Sequence, residues 1–436
     1  MLTFRRAALA GLLLLLLAPS LSLAAGVTAV FDITSPAKGP FPSDRYTVPD
    51  TGQNTGLRVA LPKPNCVARP SDCADIDVIN TLDGFNVQPR LTVAFSGPID
   101  LASVTSGTVF LVSLGDALGG GGGAVVGITQ VVWEPTTNTL YAESDALLDQ
   151  HTRYALVVTS GVRDTAGDPV EAGAFATFRH DLDFGQTKDG ALKVYRKTLL
   201  DALGAVGVPE SSIVTMSVFS TQSATAVLEK IRAQIKAGVP APADFFLAGG
   251  TTPTVFPLST VTGVTWNQQR TSGPTLTPTP VLAAAALSVI PGVGTLAFGR
   301  FASPDYETAA RFIPAVGTMT GVPVVQGTNT LYFNLFLPAG TAPAAGWPVA
   351  IFGHGFGDSK NNSPFVVASM MAQQGIATIA IDVVGHGRGP ASTLTIGRTA
   401  LNGGPITFPT GGRGIDQNGD GAIDKAAARP DLFTLF

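Results

Sequence analysis

Two glycine-lined bends carry the residue types best placed for chemistry. Gly353-His354-Gly355-Phe356-Gly357 follows the apolar run Val349–Phe352, and Asp382-Val383-Val384-Gly385-His386-Gly387-Arg388-Gly389 follows a second apolar run at 376–381. Glycines placed directly after a strand let backbone N–H groups face a ligand with no Cβ in the way. His354, His386 and Asp382 are residue types that can move protons. Each also has a structural reading, as a holder of a tight turn or a strand end. A third motif is Asp416-Gln417-Asn418-Gly419-Asp420-Gly421-Ala422-Ile423-Asp424. Oxygen side chains at Asp416, Asn418, Asp420 and Asp424, with a carbonyl from Ala422, match the front of a calcium loop. The twelfth position is Ala427 rather than a bidentate Glu, so the alternatives are a Ca²⁺ site completed by a remote carboxylate and a plain Asp/Asn/Gly turn. No cofactor is otherwise required. Cys66 and Cys73 are the only cysteines and lie in a short Pro-containing loop. A local disulfide suits an oxidising compartment, and two thiols with no nearby His make a poor zinc site.

The elements that must position the bends are a strand, a helix and a strand. Ser363 and Pro364 suit a helix start, and Gly375 suits its end. Apolar strand, helix, apolar strand is the mark of a parallel βαβ unit. The whole stretch resembles the α/β-hydrolase superfamily. His354-Gly355-Phe356-Gly357 resembles its oxyanion loop after the third strand, and Asp382 to Gly389 its D-x-x-G-H-G-x-S turn after the fourth. Gly389 stands where that family usually has Ser. The resemblance implies that the backbone N–H of Phe356, with Gly355 and Gly357, receives an oxyanion. It makes His354, Asp382 and His386 structural turn residues.

The family's nucleophile elbow, G-x-S-x-G, does not occur in this chain. The resemblance therefore covers the opening of a hydrolase domain without its covalent machinery. One expectation is an exported serine hydrolase of carboxylic esters, lipase- or esterase-like, present as a truncated and inactive piece, acting on an ester or lipid when complete. The alternative is a non-catalytic cell-surface binding or adhesion protein.

The 436 residues suggest roughly two to four domains. Charged residues make up only 13%, about half the usual share, which argues against a charged disordered tract. A net charge of −4 gives no reason to expect nucleic acid binding. Residues 1–24 read as a signal peptide: Arg5 and Arg6, an apolar core, then Ser22-Leu23-Ala24. The expected location is secreted or cell-surface, with no transmembrane span after cleavage; an uncleaved anchor is the alternative.

The fold class expected is multidomain: a β-sandwich, a small helical region and a truncated α/β-hydrolase. Residues 25–74 read as an extended lead-in. Residues 75–180 show short alternating runs at sandwich spacing. They resemble the bacterial Ig-like domain of SbsA-type surface-layer and secreted proteins, through Phe95-Ser96-Gly97-Pro98-Ile99-Asp100, Thr139-Leu140-Tyr141 and 151–167. The resemblance implies a spacer or a surface-contacting module. Residues 181–248 turn helical, with a strand expected between the helices at Ile213–Ser220. Residues 249–284, rich in Thr and Pro, read as a linker or part of a lid. Residues 285–436 carry the partial hydrolase.

Overall fold

The computed structural model describes residues 26–180, 188–416 and 418–423. The export signal, Gln417, Asp424 and Ala427 lie outside the described residues. The chain divides into two compact units, one of residues 1–230 and 315–322, the other of 231–314 and 323–436.

The first unit is built on two antiparallel sheets. A hairpin, β1 (Thr47–Pro49) and β2 (Leu57–Val59), and a helix, α1 (Pro70–Ile79), precede them. One sheet has the order β3 (Arg90–Ala94), β7 (Thr139–Ser144), β6 (Ile128–Glu134). The other runs β5 (Val125–Val126), β4 (Val109–Asp116), β8 (Thr152–Thr159), β9 (Ile213–Ser220). Helices α2 (Gly173–His180) and α3 (Gly190–Leu203) pack on β9. The period-two rule explains how β8 serves two cores. Tyr154, Leu156 and Val158 face the inter-sheet core with Leu91, Leu111 and Leu140. Ala155 and Val157 face a second core with Phe175, Phe178, Tyr195 and Leu199 of the helices.

Two expectations need correction in this unit. Residues 25–74 are not a mere lead-in, because Ala29 and Val59 sit in the inter-sheet core and Phe31 in the second. Their expected boundary falls inside α1, whose Cys73 is joined to Cys66. The strand expected at Ile213–Ser220 between the helices forms as β9, which extends the sheet of β4 and β8 by pairing with β8, and all its residues are buried. Further on, Ala226–Ala237 forms the expected helix, α4, with Ile231 its buried residue.

The second unit holds two further sheets. The stretch expected as a linker at 249–284 forms β10 (Val255–Pro257), β11 (Val261–Gln269) and β12 (Leu276–Pro280). Threonine suits a strand, and both prolines of β12, Pro278 and Pro280, lie on an edge strand, where the missing N–H costs no ladder bond. The five-stranded sheet has the order β10, β13 (Val293–Asp305), β14 (Gly327–Pro338), β16 (Ala377–Ile381), β15 (Val349–Phe352). Its pairs are antiparallel except β15 with β16, which are parallel with Ile351 opposite Ile379. Helix α5 (Pro364–Gln373) connects those two strands, and Gly375 follows it at φ +69°. The four-stranded sheet runs β12, β11, β17 (Thr393–Arg398), β18 (Ile406–Pro409). Phe256, Phe298, Phe336, Phe365, Leu394 and Phe408 share one core drawn from both sheets and α5.

Strand β15 has the unbroken apolar run of a central strand but lies at the sheet edge with Ile351 83% exposed, as expected for a hydrolase-like sheet ending at its fourth strand.

Candidate functional site

The parallel pair brings the two glycine bends together, because both leave the same end of neighbouring strands. The His354 and His386 rings lie 5.2 Å apart, and the Phe356 ring meets His386 edge-on at 5.7 Å. Phe356 itself is exposed, whereas both histidines are buried.

Hydrogen bonds fix the role of His354. Its Nε2 accepts the Val383 backbone N–H at 3.1 Å, so Nδ1 carries the proton and donates to the Gly355 carbonyl at 3.0 Å. The ring thus clamps one bend to the other. Asp382 lies 3.8 Å from Nε2, but that nitrogen is already an acceptor and makes no ion pair. His386 donates from Nδ1 to the Val384 carbonyl at 3.0 Å, which tightens its own turn. Its Nε2 is buried with no hydrogen-bond partner.

Asp382 is the node of the site. One carboxylate oxygen accepts the Lys360 backbone N–H at 2.8 Å, and the other accepts the Lys360 ammonium. That ammonium also donates to the Gly411 carbonyl at 2.7 Å. Lys360 and Asp382 are 1% and 2% exposed, so each charge depends on the other. Asn334 of β14 completes the network by donating to the Lys360 carbonyl and to Asn361 Oδ1. The loop after β15 is therefore held by polar groups of β14 and by the strand end of β16.

Backbone geometry explains the glycines. Gly387 has φ +79°, and a Cβ there would run into the Asp382 carboxylate. Gly389 occupies the place where the resembled family has Ser. A side chain there would collide with Gln269 Oε1, which accepts the Ala391 N–H, while the Gln269 carbonyl accepts the Gly389 N–H. Residues 411–414 run along the bend, with Arg413 N–H donating to the His386 carbonyl and Gly414 N–H to the Arg388 carbonyl. Lys360, Asn334 and Gln269 were not identifiable from sequence, since each acts through a partner distant in the chain.

The acidic loop is docked on the same unit. Its Ile423 N–H donates to the Arg270 carbonyl, and its carboxylates already accept local N–H groups: Gly421 on Asp416 and Ala422 on Asp420. Asn418 also accepts the Asp420 N–H. Among the described residues no group of three or more His, Cys, Asp or Glu is arranged to hold a metal.

Comparison with known proteins locates one family. The model of a bacterial Ig-like domain matches residues 75–180, about a quarter of the chain. The protein is thus multidomain, mostly β-sheet with few helices, and it contains an Ig-like domain. No curated protein matches the sequence. Among solved structures, the N-terminal part of the bacterial S-layer protein SbsC is 13% identical over 63% of this chain and 46% of that one, with a TM-score of 0.18. The S-layer protein rSbsC(31-844) is 11% identical over 62% and 34% respectively, also at 0.18. Scores this low carry no structural argument. The chain spans less than half the length of either. No helix among the described residues is long and apolar enough to cross a membrane.

Proposed function

We propose that the chain is a secreted or cell-surface protein whose Ig-like sandwich is a non-catalytic contact module. The observation that carries this is the Ig-like family match over residues 75–180. The purified chain is expected to co-sediment with cell-wall or host-matrix preparations. A chain that stays in the supernatant with all of them would overturn the reading.

A second reading is favoured by one observation in the other unit, the parallel β15–β16 pair that sets two glycine bends side by side. In this reading the second unit is the opening of an ester-hydrolase domain, and Gly355, Phe356 and Gly357 form the oxyanion loop. The bends then stabilise negative charge developing on a carbonyl oxygen attacked by a serine outside this sequence. Reading the coding DNA past Phe436 tests it. A G-x-S-x-G followed by Asp and His is expected, and p-nitrophenyl ester hydrolysis is expected only from the extended chain. Turnover by the 436 residues alone would sink it. Calcium is proposed for the loop at Asp416, Asn418, Asp420 and Ala422 with Asp424; calorimetry giving no heat at millimolar Ca²⁺ would reject it.

A further inference from the structure

A cavity of about 210 Å³ opens between the two glycine bends and the four-stranded sheet. One wall is apolar: Trp266, Pro280, Val281 and Leu282. The opposite wall is polar, with Asp358, Asn362 and Arg388 prominent. Gln268 lines it too, its Oε1 already accepting from Arg270. We propose that this cavity binds a small polyhydroxylated ligand, a sugar or polyol ring.

The argument rests on size, charge and the two unlike walls. The volume falls below the ~300–1,000 Å³ typical of pockets for drug-sized ligands, so a single ring or a three-carbon polyol is the fitting size. Asp358 and Arg388 place opposite charges on the same wall, which disfavours a net anion or cation and favours a neutral ligand. Burial pushes the Asp358 carboxyl up, but hydrogen bonds from Ser363 and Asn362 outweigh it and hold the group below its usual range. It therefore stays ionised at neutral pH and puts negative charge on this wall, with Ser359, Asn362 and Ser363 sharing its acceptor positions. Facing it, the Trp266 wall offers an apolar surface for C–H groups.

This inference deepens the ester reading and rests on it in one respect: the ligand is then the alcohol part of the ester. The same chemistry could come from a free saccharide. Intrinsic fluorescence and calorimetry on the full chain, with glucose, glycerol and hexanoate as probes, decide the ligand. Saturable binding of glucose or glycerol is expected, with Trp266→Phe and Asn362→Ala each weakening it about 2–10-fold, the first through a smaller ring face and the second through a lost hydrogen bond. Asn362 is exposed, so its variant keeps the result interpretable if Trp266→Phe unfolds the sheet. Preference for hexanoate, absence of binding, or unchanged affinity in both variants would overturn the proposal. Glucose hexanoate binding more tightly than glucose assigns the site to an ester's alcohol; equal affinities assign it to a free saccharide. None of these measurements needs turnover, so their failure is distinguishable from failure of the hydrolase reading.

Discussion

Each unit buries an aspartate beside a cation, and the two solutions differ. In the second unit Asp382 is neutralised by direct contact with the Lys360 ammonium and ties two loops together. In the first unit Asp44 accepts the Ser220 N–H at 2.8 Å and the Ser220 hydroxyl at 2.9 Å, while Arg153 Nε stays 3.9 Å away. Burial therefore dominates at Asp44 and pushes its carboxyl up to about 6, with the Ser220 N–H and Arg153 opposing. A charge matched at contact distance fixes the geometry of a site. A charge matched at longer range makes stability depend on pH.

The largest effect expected is at the matched pair. Asp382→Asn leaves the Lys360 ammonium buried and uncompensated, at a cost of about 3–5 kcal/mol. Hydrogen exchange resolved to β14, β15 and β16 should show the loss there and leave the sandwich unchanged. An effect below about 1 kcal/mol would erase the contrast between the two aspartates.

Next comes the pH dependence of the first unit. Asp44 has a folded-state value above its unfolded one, so the unfolded form ionises first as pH rises. Its contribution is fully present below about pH 4, is lost between about pH 4 and 6, and levels off above that. The difference between the folded and unfolded values corresponds to roughly 3 kcal/mol. Thermal melts of the wild type and Asp44→Asn across this window should diverge, with only the wild type showing this slope. Parallel curves would show that Arg153 compensates the charge after all.

The smallest of the three sharpens the role of Asp382. Gly387→Ala must place a Cβ at φ +79° and against the Asp382 carboxylate, at a cost of about 2 kcal/mol. The same change at Gly340, φ +92° with open space around it, meets backbone strain alone. Equal losses in chemical denaturation would remove the steric part of the argument.

Much of the fold was legible because burial leaves local traces. The strand at Tyr154–Val158 was legible, although its expected alternation gives way to burial on both faces between two cores, and Gly375 marks the helix end by its own backbone freedom. The bends at Gly355 and Gly387 were visible as glycine spacing. The edge position of β15, a strand of central-type composition, was also expected. One feature misled. The Thr and Pro of 249–284 looked like linker because propensity does not reveal pairing with a strand more than a hundred residues away, as β11 pairs with β17.

The sequence by itself determined the short strands of the sandwich, the parallel βαβ unit and the positions of its two bends, since spacing and backbone freedom are local properties. Only the tertiary structure decided that Lys360 answers Asp382, that Asn334 faces the core to hold a loop, and that Gly389 is small because Gln269 lies against it. Those choices depend on which distant segments share a sheet, and the energy of a buried charge or a close contact exists only once they meet.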